Sequence, residues 1–152
     1  MSAEDLARIE QELAISLPPA YCETLLRPEF QNEAAGFQEF SGDADEVIGL
    51  NLELRNSGFC GIKWPAHYFV LGEDGAGNFY FTDLKKERPV VFLADHELTT
   101  VKGRLTTSES YETFPQFVSF LLRLQSETDA AFPEDEEISE PEIRKKPWWK
   151  MW

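Results

Sequence analysis

Glycines set the narrowest limits on this chain between Leu71 and Leu84, which reads Leu71-Gly72-Glu73-Asp74-Gly75-Ala76-Gly77-Asn78-Phe79-Tyr80-Phe81-Thr82-Asp83-Leu84. Before the glycines, Tyr68, Val70 and Gly72 alternate with Phe69 and Leu71. After them, Phe79, Phe81 and Asp83 alternate with Tyr80, Thr82 and Leu84. A period of two sends successive side chains to opposite faces, and aromatic and β-branched residues suit a half-buried pleat. Asp74-Gly75 and Gly77-Asn78 tolerate positive φ, so the pattern predicts two strands reversing at Gly75 and Gly77, with Asn78 also favouring positive φ.

The remaining elements arrange themselves around this hairpin. Ser2-Ala3-Glu4-Asp5 reads as a capping box, and Leu6, Ile9 and Leu13 form one apolar helical stripe behind it. Pro18 and Pro19 end that helix and open a second, whose buried side is expected to hold Tyr21, Leu25 and Leu26. Phe37-Gln38-Glu39-Phe40 fits a short strand, and a further strand is expected near Glu46-Val47-Ile48, followed by a short helix ending at Asn56-Ser57-Gly58. Pro89 to Asp95 reads as a third hairpin-connected strand, broken by Asp95-His96-Glu97, with a weak strand or loop from Val101 to Leu105. Phe114, Phe117, Leu121 and Leu124 recur at helical spacing, which predicts a closing helix laid on one sheet face. The order predicts an α+β fold, with a mainly antiparallel sheet carrying an N-terminal helix pair and a C-terminal helix.

Charge divides the chain. The whole carries −14; residues 1–126 hold 20 acids and 10 bases, and residues 127–152 hold 8 acids and 4 bases. We therefore expect one domain over 1–126 and a tail over 127–152, acidic at first and then basic and aromatic at Ile143-Arg144-Lys145-Lys146-Pro147-Trp148-Trp149-Lys150-Met151-Trp152. Three readings of its tryptophans stand: docking on the domain's own acidic surface, binding a partner, or resting at a membrane interface. An acidic body opposes nucleic-acid binding and favours steered association with a basic protein. No apolar run reaches the ~20 residues a spanning helix needs, so no stable membrane insertion is expected. The acidic start Met1-Ser2-Ala3-Glu4-Asp5 does not resemble a signal peptide, and Cys22 and Cys60 show no disulfide or zinc spacing, which together point to the cytoplasm.

The same residues offer little chemistry. His67 and His96, the only histidines, sit beside no nucleophile motif. The Glu73–Asn78 segment places Gly and Ala where a calcium loop needs ligands, and it runs into a strand where a phosphate loop opens a helix. Asp83 and Asp95 end apolar strands, where a carboxylate most often caps a turn. We expect no catalytic residue, no metal and no cofactor.

Four stretches carry a resemblance. Ile9-Glu10 with Leu13-Ala14-Ile15-Ser16-Leu17-Pro18-Pro19-Ala20-Tyr21, the Leu71–Asp83 hairpin, Pro89-Val90-Val91-Phe92 with Asp95-His96-Glu97, and Phe114, Phe117, Phe120 and Leu121 occur in the order seen in the SUKH superfamily, which the chain therefore resembles. That group unites fungal cell-wall-assembly regulators of the Smi–Knr type with bacterial immunity proteins. The Asn-Gly-Gly turn usual after the second helix is replaced here by Gln31-Asn32-Glu33-Ala34-Ala35-Gly36. The resemblance implies a twisted sheet carrying helices, and no enzymatic activity. It further implies an antidote that neutralises a polymorphic toxin, such as a nuclease or deaminase, by direct binding, the toxin domain being basic. The alternative is an adaptor in envelope or secretion machinery, docking through the Trp-rich tail. Glu73, Asp74, Asp95, Glu97, Trp148, Trp149 and Trp152 are the expected partner-facing residues. Pro18, Tyr21, Gly75, Gly77, Asn78 and Asp83 are the expected structural ones.

Overall fold

Ser2 starts the first helix as its spacing predicts. In the computed structural model, which describes residues 1–27, 30 and 39–131, its hydroxyl accepts the Asp5 N–H at 3.1 Å while the Asp5 carboxylate accepts the Ser2 N–H at 2.8 Å. Helix α1 (Ala3–Leu13) buries Leu6, Ile9 and Leu13 and ends at Ala14 in the left-handed region. Pro18 is extended, and its carbonyl accepts from Tyr21 and Cys22 to begin α2 (Pro19–Leu25). Tyr21 and Leu25 are buried as expected, whereas Leu26, one residue past the helix, is 41% exposed.

The strand expected near Glu46-Val47-Ile48 is instead part of a longer helix, α3 (Ala44–Ser57). Asp43 is its N-cap, accepting the N–H groups of Asp45 at 2.7 Å and Glu46 at 3.3 Å. Val47, Ile48, Asn51 and Leu54 form its buried stripe, so spacing at three and four outweighed the local alternation that looked strand-like. Glu39 and Phe40 lie in a turn and bend, not in a strand, and Phe37 and Gln38 fall outside the described residues, as does the Gln31–Gly36 segment.

Among the described residues four strands follow: β1 (Tyr68–Glu73), β2 (Phe79–Asp83), β3 (Val91–Ala94) and β4 (Thr107–Tyr111), paired in sequence order and all antiparallel. Asp95 does more than interrupt an apolar run. Its carboxylate accepts the Leu98 N–H at 2.8 Å and caps a helix, α4 (His96–Lys102), closed by Gly103 at φ 61°. The Val101–Leu105 stretch is therefore helix end and connection, and the last strand comes later. Closing helix α5 runs from Phe114 to Ala131, five residues into the stretch that composition marks as tail. The fold is α+β, with the N-terminal helices and α5 on an antiparallel sheet, as the pattern of elements predicts.

Each sheet face has its own apolar cluster. On one, Phe69, Leu71, Tyr80, Val91 and Leu93 meet α1, α2 and α5; on the other, Val70, Phe81 and Ala94 meet Phe59 and Trp64. Alternation along β1 sends Phe69 and Leu71 to the first face and Val70 to the second, and a bulge follows between Val70 and Gly72. At the centre of the first cluster Tyr21 is fully buried, edge-on to Phe69, Phe40 and Phe114 at 5.1, 5.4 and 5.9 Å. Among the described residues its hydroxyl has no hydrogen-bond partner, and burial pushes its pKa far up.

The outer edge of β1 is closed by a side chain. Asn51, fully buried, donates from Nδ2 to the Val70 carbonyl at 3.0 Å and accepts the Val70 N–H at 2.9 Å, with a further bond from Nδ2 to the Val47 carbonyl at 2.9 Å. One residue along, the Leu71 carbonyl accepts from the Ser41 N–H at 3.0 Å.

Two outcomes follow for stability. Tyr21→Phe removes an unsatisfied buried hydroxyl while keeping every ring contact, so the denaturation midpoint should stay level or rise; Tyr21→Ala should lose about 3–5 kcal/mol by urea unfolding. Asn51→Leu orphans both polar groups of Val70 and should cost about 2–5 kcal/mol, with amide exchange accelerating first at β1.

Candidate functional site

Chain reversal between β1 and β2 is built by one carboxylate. Asp74 Oδ1 accepts the N–H groups of Ala76 at 2.9 Å and Asn78 at 3.1 Å, while Oδ2 accepts from Asn78 Nδ2 at 2.7 Å. Gly75 and Gly77 take positive φ, at 73° and 89°, as the turn requires. Asn78 does not: among the described residues the only non-glycines with positive φ are Ala14 and Cys60. Its contribution comes from the side chain. Oδ1 accepts the His96 backbone N–H at 2.9 Å and lies 2.8 Å from His96 Nδ1. A carboxylate can only accept, so Asp74 fixes which end of the Asn78 amide carries the oxygen. That oxygen in turn requires a proton on His96 Nδ1.

This chain of bonds joins the hairpin tip to the start of α4. It brings Asp74, Asn78, His96 and the capping residue Asp95 into one hydrogen-bonded corner, with Glu73 at the end of β1 and the exposed Glu97 in the first turn of α4 beside it. Partial burial alone would raise the Asp74 carboxyl, but the hydrogen bonds from Asn78 and Ala76 outweigh it and hold the group below its ordinary value. The Tyr80 hydroxyl is pushed up to about 12, first by burial and then by the carboxylates of Glu109, Glu39 and Asp74. Glu39 and Glu109 thus act on Tyr80 from two other parts of the chain.

Asp83 sits at the opposite end of the sheet. Its carboxylate accepts the Lys85 N–H at 3.0 Å and lies 3.8 Å from His67 Nε2, so it caps the β2–β3 turn and is not part of the acidic corner. Pro18 is the N-cap of α2, and Tyr21 lies in the core. Trp148, Trp149 and Trp152 lie outside the described residues. Sequence reasoning missed Asn78 as the hub, which had one readable sign, an Asn closing a turn that opens on Asp.

Among the described residues, no group of three or more His, Cys, Asp or Glu side chains is arranged to hold a metal ion, and no helix is long and apolar enough to cross a membrane. No curated protein and no solved structure matches the chain. The family model described as SMI1 / KNR4 family (SUKH-1) matches residues 1–123, from the α1 capping box into α5. That span takes in the whole helix pair, the hairpin and the acidic corner, and the chain belongs to the SMI1/KNR4 (SUKH-1) family.

Proposed function

We propose that this chain is an immunity protein that binds and neutralises a toxin domain in the cytoplasm, without turning over a substrate. The family is generally associated with immunity proteins, and the observation that carries the reading here is the acidic corner. Its carboxylates are presented on a frame that is already ordered, so binding loses little in rearrangement. A basic partner, such as a nuclease or deaminase that grips nucleic acid, is steered toward such a surface, and the complex forms fast. Asp74 and Asp95 hold the frame together through their hydrogen bonds, whereas the side chains of Glu73 and Glu97 make none among the described residues. The latter pair meets the partner, and the former keeps it in place.

The test is to find a neighbouring gene that encodes a C-terminal toxin domain, co-express that domain with this chain, and follow association kinetics on the purified pair. Cells should survive, and failure of the protein to protect them overturns the reading. The double variant Glu73→Lys, Glu97→Lys should keep its thermal midpoint while the association rate falls on the order of tenfold at low salt, the gap closing as salt is added. Asp95→Ala should show the reverse balance, losing about 1 kcal/mol of stability with the loss of the α4 cap.

A further inference from the structure

One edge of the sheet is closed by Asn51; the other, among the described residues, is not. Strand β4 is last in the sheet order, and its residues from Thr107 to Ser110 are exposed. Beside it a groove of about 550 Å³ is walled by Tyr111, Pro115, Gln116, Ser119, Phe120 and Arg123. Tyr111 and Phe120 face each other at 5.0 Å, with Phe117 5.4 Å from Tyr111. The Arg123 guanidinium lies 6.0 Å over the Phe120 ring, and its Nε pairs with Glu127 at 3.7 Å. On the strand side, Glu109 accepts the Tyr111 hydroxyl at 2.9 Å. The groove is therefore aromatic inside, with a cation on one lip and a carboxylate on the other.

The chain supplies a matching segment. Twenty-one residues follow Ala131, and residues 143–152 carry four bases, no acid and three tryptophans. Phe120 lies eleven residues before Ala131 on α5, about 16 Å along the axis at 1.5 Å per residue. The seventeen residues 132–148 span up to about 55 Å when extended, which is ample to turn back and reach it. Arg144, Lys145 and Lys146 complement Glu109 and the excess of 20 acids over 10 bases in residues 1–126, and an indole is the best ring for a guanidinium such as that of Arg123. A second copy fits less well: antiparallel pairing of two β4 edges about Glu109 sets like charges opposite each other, in molecules that each carry −14.

We propose that this groove is the seat of the chain's own C-terminal segment, with Trp148 and Trp149 entering against Tyr111 and Phe120 and Arg144–Lys146 lying along β4 beside Glu109. The segment covers the edge strand that the described part of the fold leaves bare.

Indole ¹⁵N–¹H spectra of the full chain test this, with the synthetic peptide 143–152 as the free reference. The Trp148 and Trp149 signals should be displaced from the peptide's positions, independently of protein concentration, with NOE contacts to the Tyr111 and Phe120 rings. Ser119→Arg, which fills the groove with bulk and positive charge, should return both signals to the peptide's positions. The buried Trp64 signal should stay where it is, reporting that the variant is folded. Tail signals at the peptide's positions in the unmodified chain overturn the proposal, as does a displacement that appears only as concentration rises, which would assign the groove to a neighbouring copy. Should Trp64 show that the variant is unfolded, the NOE contacts of the unmodified chain decide alone.

Discussion

Asn51 does for β1 what a fifth strand would do. A strand at a sheet edge leaves N–H and C=O groups without partners, and buried groups of that kind cost about 1–3 kcal/mol each. Here an amide on α3 offers one donor and one acceptor at the spacing of a peptide group, and takes both groups of Val70. Much else depends on this. It fixes the distance of α3 from the sheet, and α3 in turn packs on α1. It also permits a wholly buried β1 centre, so that Phe69, Val70 and Leu71 can feed both apolar clusters at once.

The sequence disclosed those parts of the fold where one local signal spoke alone. The Ser2 capping box, the proline corner, the hairpin and the aromatic stripe of α5 each agree with the structure because local preference and burial point the same way. It misled where two periods coincided. Val47, Ile48, Leu50, Leu52 and Leu54 contain both an alternation and a helical stripe, and the Asp43 cap decides between them. Strand β4 was silent for another reason: Thr107-Ser108-Glu109-Ser110-Tyr111 buries little, so no apolar pattern exists to be read. Pairing with β3 makes it a strand, and pairing is a property of the fold.

The acidic corner was half legible. Its carboxylates stand out in the sequence, and so does the turn, but their joining does not. Asn78 and His96 are 18 residues apart and meet only because the start of β2 pairs with the end of β3, Phe79 opposite Ala94. A glycine-rich turn with an aspartate resembles several ion cradles in one dimension. In three dimensions the Asp74 carboxylate is already occupied by the turn's own N–H groups and by Asn78, which leaves it little capacity for an ion.

The division of labour at this corner bears on how such a surface can change over evolutionary time. Asp74, Asn78 and Asp95 are tied into the backbone, so substitution there disturbs the turn or the start of α4. Glu73 and Glu97 carry no such duty, and Ala76 lends the network only its backbone N–H. New side chains can be tried at these three positions with the frame unaltered. Changes at this surface can thus accumulate in single steps, each in a folded chain.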